Sequence, residues 1–378
     1  MIPERVVRAL RDAHRPVCAY VYDTAVLTDR VARVRAALPG SARLLYAVKA
    51  NGHPAVVGTL AAAADGLEVA SGGELALAVA AGARRIAFGG PAKTPAELAA
   101  AVAAGATVNV ESVLELRRLA RVAAGAPVRV ALRVNRPDAV PAGSHQMTGT
   151  ATPFGLDPAD LPAALAVARA APNLDLVGFH LHALSNSLDP AGYAAFVRAA
   201  VAWSVAAADR YGVDLREVNV GGGFGVDYTG TGGFDPAGLG PLPEDPPLVF
   251  ELGRYLAADA GWYAAEVLDL KRTHGRWFAV LRGGTHHFRL PAAWGYSHPF
   301  TVLPMPWTEE LDERPTVREV PVDAVGELCT TKDVLTRGQP VAELRVGDVL
   351  VFARTGAYGW DISHHEFLRH PYPQILVI

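Results

Sequence analysis

Eight short apolar or β-branched runs, at residues 44–48, 66–70, 85–88, 107–110, 128–134, 176–182, 217–220 and 248–251, are separated by alanine-rich segments with helical spacing such as 73–81 and 95–104. Runs of that length read as strands, and strands joined through helices pair in parallel, because a parallel neighbour can be reached only by a crossover. Eight such units fit a closed (β/α)8 TIM barrel better than an open doubly wound sheet. Enzymes on that barrel carry their chemistry at the C-terminal ends of the strands. Lys49, Ser71, His182, Gly221, Gly222, Gly223 and Glu251 all fall at those ends, on different strands.

From about residue 262 the pattern changes to short alternating runs punctuated by proline and glycine, RWFAVLRGG, VREVPVDAV, DVLVFA and PQILVI, which predict a mostly β second domain. A further strand at 18–23 precedes the barrel and is expected to pair into that domain. The organisation expected is therefore a barrel at 24–260 and a discontinuous β domain built from 1–23 and 261–378.

A formal net charge of −3, with no run of like charges, offers no basic field for nucleic acid. Each apolar run is broken by Arg, Asp, Gly or Pro, and the N-terminus lacks a signal-peptide core, so a cytoplasmic location without membrane contact is expected. The two cysteines, Cys18 and Cys329, are too few for a thiolate metal site, and no metal is expected.

Of 35 basic residues only Lys49, Lys93, Lys271 and Lys332 are lysines. Lys49 closes an apolar strand, where partial burial favours a neutral amine able to form a Schiff base with a carbonyl, which arginine cannot do. A lysine snorkelling from a strand end is the plainer alternative. VNVGGGFG (218–225) follows a strand with three glycines, which suit a tight turn or the approach of backbone N–H groups to an anion. ELGR (251–254) adds an acid facing the barrel mouth and an arginine fork for phosphate. FHLHALS (179–185) ends the sixth strand with two histidines; only His182 is expected to face the site, while His180 reads as a core histidine with its hydrogen bonds satisfied. GELCTTKD (326–333) sets Cys329 in a polar turn, where its sulfur should be accessible. TGAYG (355–359) sets Tyr358 among glycines, where a turn tyrosine with a free hydroxyl is the alternative reading.

Taken in order, the blocks YAVKAN, EVASGGEL, FGGPAKT, PFGLD, FHLHALS, VGGGFG, ELGR, GGTHHFRLPAAWGY, ELCTTKD and GAYG resemble those of the fold-type III pyridoxal phosphate-dependent decarboxylases. These are the diaminopimelate, ornithine and arginine decarboxylases, whose barrel is alanine racemase-like, and the resemblance covers nearly the whole chain. It implies that Lys49 holds pyridoxal phosphate covalently and that His182 stacks on its ring. It further implies that Ser185, Gly221, Gly222, Gly223, Arg254 and Tyr358 bind the phosphate, and that Ser71 and Gly253 complete the cofactor site. Glu251 would pair with the ring nitrogen, whose protonation makes the ring an electron sink as CO2 departs. Cys329 would supply the proton that replaces CO2, reaching into the site of a second subunit in a homodimer with shared active sites.

Two positions depart from the pattern. Leu252 stands where the family has proline, and Thr330 stands where diaminopimelate and ornithine decarboxylases carry an acid for the substrate's distal amine. CTTKD, MTGTATPFG and the GAYGWDISHHEFLRHP ending are more similar to the branch in siderophore biosynthesis, which decarboxylates an amino acid already joined to an acidic group. Arg289, Thr330 and Tyr296 are the implied substrate contacts, with His286, His287 and Arg282 as further donors. The expected substrate is a carboxylate-tailed amino-acid conjugate of the citryl-diaminopropionate kind, with diaminopimelate as the alternative. A racemase on the same fold would use a tyrosine where this chain has Cys329, and a non-catalytic carrier of the fold would lack the β domain.

Overall fold

The structure is a computed structural model and describes residues 2–123, 125–137, 145–146, 148–230, 232–307 and 313–378. It divides into two compact units, 28–226 with 232–256, and 1–27 with 227–231 and 257–378.

The first unit is a closed parallel barrel of eight strands: Arg43–Ala47, Gly66–Val69, Ile86–Phe88, Thr107–Val110, Val128–Arg133, Leu174–His180, Glu217–Gly221 and Leu248–Leu252. The eighth strand closes on the first, with Phe250 opposite Leu44 and Glu251 opposite Leu45. The helices between strands begin where side chains can satisfy their first N–H groups. Ser71, Thr94 and Ser112 each accept the N–H three residues on, and Thr94 with Glu97 forms a reciprocal capping box. Leu45, Ala87 and Val249 pack together as an apolar plug. Strand residues two apart share a face, so Glu251, two beyond Val249, also points into the barrel on the C-terminal side of that plug.

Although Arg198 interrupts its apolar run as expected, the helix Pro190–Tyr211, at 22 residues, is long and apolar enough by length and composition to cross a membrane. Alanines on its outer face make it so, while Tyr193, Phe196, Val197, Ala200 and Val201 are buried.

The second unit is built on an eight-stranded sheet whose path runs Phe300–Leu303, Val349–Ala353, Gly261–Thr273, Arg276–Leu281, Thr316–Val325, Val334–Arg345. The N-terminal strand Cys18–Tyr22 pairs antiparallel with Gly261–Thr273 and parallel with Gln374–Val377. Val6 and Leu10, one helical turn apart on Glu4–Arg11, are buried with Val17, Trp262, Met305 and Val351 in this unit's core. The long strands Gly261–Thr273 and Val334–Arg345 have no clear signature in the sequence. The first is apolar only in its buried half, and the second contains Gly338 and Pro340.

Candidate active site

The C-terminal half of the barrel interior is polar. Glu251 is buried, and its Oε1 accepts the side-chain amides of Asn109 at 3.0 Å and Asn219 at 2.6 Å. Its Oε2 faces His180 Nε2 at 3.4 Å. Burial, reinforced by the nearby negative charge of Glu68, pushes the Glu251 carboxyl up to about 7, against the opposing pull of Lys49, Asn219 and Arg133.

Lys49 does not sit on the strand itself. The first strand ends at Ala47, and Val48–Ala50 forms a single 3-10 turn that presents Lys49 with its side chain about half exposed. Nζ donates to Glu68 Oε2 at 2.8 Å. Gly253 lies against this turn; a Cβ there would meet Ala50 Cβ at 2.9 Å, so a glycine is required for the eighth strand to approach Lys49's turn.

His180 corrects the sequence reading. Residues two apart on a strand share a face, so the spacing of the two histidines allows both to turn toward the barrel interior. His180 and His182 lie with ring centroids 6.4 Å apart, and among the described residues neither nitrogen of His180 has a hydrogen-bond partner, so it is not a satisfied core residue. Burial and the neighbouring Arg133 hold both imidazoles neutral, well below the usual histidine range. His182 Nδ1 accepts the N–H of Gly222 at 3.1 Å, which leaves the ring proton on Nε2.

The glycine turn is shaped by this packing. Gly221 has φ +68°, and a Cβ on it would lie 2.2 Å from His182 Nδ1. The N–H of Gly221 donates to Asn219 Oδ1 at 2.9 Å, so the amides of Gly221 and Gly222 are both already engaged within the loop. Ser185 lies on the two-residue strand Leu184–Ser185, Arg254 is buried at the start of the helix Arg254–Ala257, and Ser71 Oγ is the N-cap acceptor for Glu74.

Four residues that sequence reasoning missed complete the cluster. Glu68, Asn109, Arg133 and Asn219 are buried polar residues at or near the C-terminal ends of apolar strands. Arg133 donates to Glu111 at 2.9 Å, and Lys93, fully buried, pairs with Glu115 at 2.8 Å and donates to the carbonyl of Asn109 at 3.0 Å. A lone polar residue inside a barrel strand was the available signal.

In the β unit, Cys329 is exposed and Cys18 is buried, where burial pushes its thiol up to about 12. Tyr358 is half-buried in the left-handed region at φ +54°, a conformation that a tyrosine adopts only when its surroundings impose it. Arg289, Tyr296 and Thr330 line one cavity of about 680 Å3, together with Lys332, Arg337 and His364. Among the described residues no carboxylate lines it, and Arg289, Lys332 and Arg337 have no ion-pair partner. His298 Nε2 can only donate to the Ala353 carbonyl at 2.7 Å, so its Nδ1 accepts from the Tyr296 hydroxyl at 2.9 Å. His286, His287 and Arg282 are not part of this cavity, contrary to expectation. Both histidines are fully buried, with His287 Nδ1 at 3.3 Å from Cys18 Sγ, and Arg282 is committed to Glu327 at 2.5 Å. Met147 of MTGTATPFG lies outside the described residues.

A family profile described as pyridoxal-dependent decarboxylase, pyridoxal binding domain, matches residues 24–235. The 2-[(L-alanin-3-ylcarbamoyl)methyl]-2-hydroxybutanedioate decarboxylase of Staphylococcus aureus is 36% identical, over 100% of this chain and 98% of its own length. The diaminopimelate decarboxylase of Deinococcus radiodurans is 35% identical over 94% of this chain and 88% of its own. The crystal structure of Helicobacter pylori diaminopimelate decarboxylase complexed with L-lysine superimposes with a TM-score of 0.86 at 26% identity, covering 98% of this chain and 93% of that one.

Proposed function

Because the chain belongs to the pyridoxal-dependent decarboxylases, we propose that it removes the α-carboxylate of an amino acid whose side chain is joined through an amide to a hydroxy-dicarboxylate, in siderophore or related biosynthesis. The observation that carries this reading is the cavity of the β unit, where among the described residues no acid contributes and three cations, Arg289, Lys332 and Arg337, face one space without an ion-pair partner. A tail bearing two carboxylates would complement those charges, and Thr330 with Tyr296 would meet its amide or hydroxyl. The Staphylococcus aureus relative is named for a substrate of this build.

The barrel residues fit pyridoxal phosphate. Among the described residues neither buried nitrogen of His180 has a hydrogen-bond partner, Glu251 has one oxygen not claimed by the asparagines, and Gly221 carries no Cβ to press on the His182 ring. Lys49 Nζ would hold the cofactor's carbonyl carbon, His182 would lie against its ring, and Glu251 Oε2 would face its ring nitrogen. Ser185, Arg254, Tyr358 and the N–H of Gly223 would take the phosphate, with Gly221, Gly222 and Gly253 allowing close approach and Ser71 fixing the neighbouring helix. When bound, pyridoxal phosphate accepts the electron pair of the breaking bond between Cα and CO2. Cys329 Sγ would then deliver a proton to Cα and recover one from water. Its exposure suits a thiol that works in the site of a second copy, so the functional unit would be a two-fold dimer with shared sites.

Diaminopimelate is the second reading, favoured by Arg289 and by the Deinococcus radiodurans relative. Its distal ammonium, however, would meet three cations and no acid in this cavity. CO2 release from the hydroxy-dicarboxylate conjugate, diaminopimelate, lysine and ornithine separates the readings. The conjugate should give the highest kcat/KM, and efficient turnover of lysine or ornithine would sink the proposal.

A further inference from the structure

The two asparagines on Glu251 do more than fill the barrel. Asn219 is held from both ends: its Oδ1 accepts the N–H of Gly221 at 2.9 Å, which fixes the amide orientation, and its Nδ2 then points at Glu251 Oε1 at 2.6 Å. Asn109 approaches from the opposite side of the barrel, with its Nδ2 at 3.0 Å from the same oxygen and its Oδ1 buried without a partner. Flipping Asn109 would set a carbonyl oxygen against a carboxyl oxygen, so Glu251 itself dictates its orientation. Both donors therefore converge on one atom. An oxygen that accepts two N–H bonds at close range cannot also carry a proton, because the proton would point at a donor. Oε2, by contrast, faces the His180 ring.

We propose that Asn219 and Asn109 are positioning residues that fix Oε1 of Glu251 as a permanent acceptor and leave Oε2 as the single atom through which this acid takes and gives a proton. Through Asn219 the same arrangement ties the acid to the Gly221 turn, so that the residues reading the two ends of the cofactor ring share one side chain. The raised proton affinity of the buried Glu251 fits this role, since Lys49, the Asn219 amide and Arg133 supply the opposing pull that keeps the carboxylate accessible. Removing either amide should move the shared proton from the ring nitrogen onto Oε2. The inference rests on Glu251 facing the cofactor ring and is independent of which substrate tail is bound.

The test is the resonance of ring-15N-labelled pyridoxal phosphate bound to the holoenzyme, which distinguishes a protonated from a neutral pyridine nitrogen. Wild-type protein should show the protonated form, and Asn219→Ala and Asn109→Ala should each shift the signal toward the neutral form. Asn109→Ala leaves the glycine turn untouched, so it remains informative if Asn219→Ala does not fold. Each variant should lose about ten- to a hundredfold in kcat with KM little changed, because the substrate is not touched. Tyr193→Phe removes a hydrogen bond to the carbonyl of Gly222 in the same cradle without touching Glu251, and should leave the resonance in place. An unmoved resonance in the asparagine variants, while Glu251→Gln does shift it, would overturn the inference alone. An unmoved resonance in Glu251→Gln as well would remove Glu251 from the ring nitrogen and so overturn the assignment beneath it. A shift in Tyr193→Phe equal to that in the asparagine variants would reduce the effect to packing and overturn the inference.

Discussion

Arg289→Ala isolates the charge reading of the β-unit cavity. The side chain is exposed and has no carboxylate partner among the described residues, so its removal strands no charge there, and the loss reports on the ligand. Two unit charges about 4 Å apart are worth about 1 kcal/mol in water and about 4 kcal/mol at the effective dielectric of a protein surface. Because the cavity is open, the lower part of that range applies, and about 1–3 kcal/mol corresponds to a loss of about 5- to 150-fold in kcat/KM on a dicarboxylate-tailed substrate. Lys332→Ala should fall at the low end, since a lysine offers a point charge where arginine offers a planar fork. Steady-state kinetics of both variants on the acidic conjugate and on the same amino acid with a neutral amide tail is the assay. The acidic substrate alone should suffer, and its wild-type KM should rise with salt. Equal losses on both substrates, or none on either, would refute the reasoning.

Three further outcomes follow from the buried groups and from the proposed dimer. The fold raises the Glu251 carboxyl from 4.5 to about 7, so its stabilising contribution is full below pH 4.5 and is lost as the pH rises through about 7. In urea unfolding of cofactor-free protein, the stability of wild type relative to Glu251→Gln should therefore drop by about 3 kcal/mol between about pH 5 and about pH 8, and a pH-independent difference would contradict this. Lys93→Met leaves Glu115 and two backbone carbonyls without their buried cation, and should cost about 3–5 kcal/mol in the same assay. Mixing inactive Lys49→Ala with inactive Cys329→Ala protein should restore up to about a quarter of the activity if sites are shared across a dimer, and no recovery despite proven subunit exchange would place both residues in one chain's site.

The barrel was legible because each strand carries its own local signal, an apolar run of four to seven residues with an alanine-rich helix after it. Lys49 and Glu251 were legible for a related reason, since a charged residue ending such a run stands out without knowledge of its partner. Asn109 and Asn219 were not, because what makes them functional is convergence on Glu251 from positions 142 and 32 residues away, which only closure of the barrel brings about. Lys332, Arg337 and His364 are equally ordinary in sequence, and their shared cavity arises from the folding of separate segments of the β unit. His180 carried a local signal of its own, since residues two apart at a strand end can present both rings to one face. His286 and His287 look like surface donors in a glycine-rich segment, yet that segment turns them into the core beside Cys18.

The most direct measurement is reduction of the cofactor-loaded protein with borohydride followed by peptide mapping. The account predicts a single pyridoxyl label on Lys49, the half-exposed amine on the turn that follows the first barrel strand. A label on Lys93, Lys271 or Lys332 would contradict it.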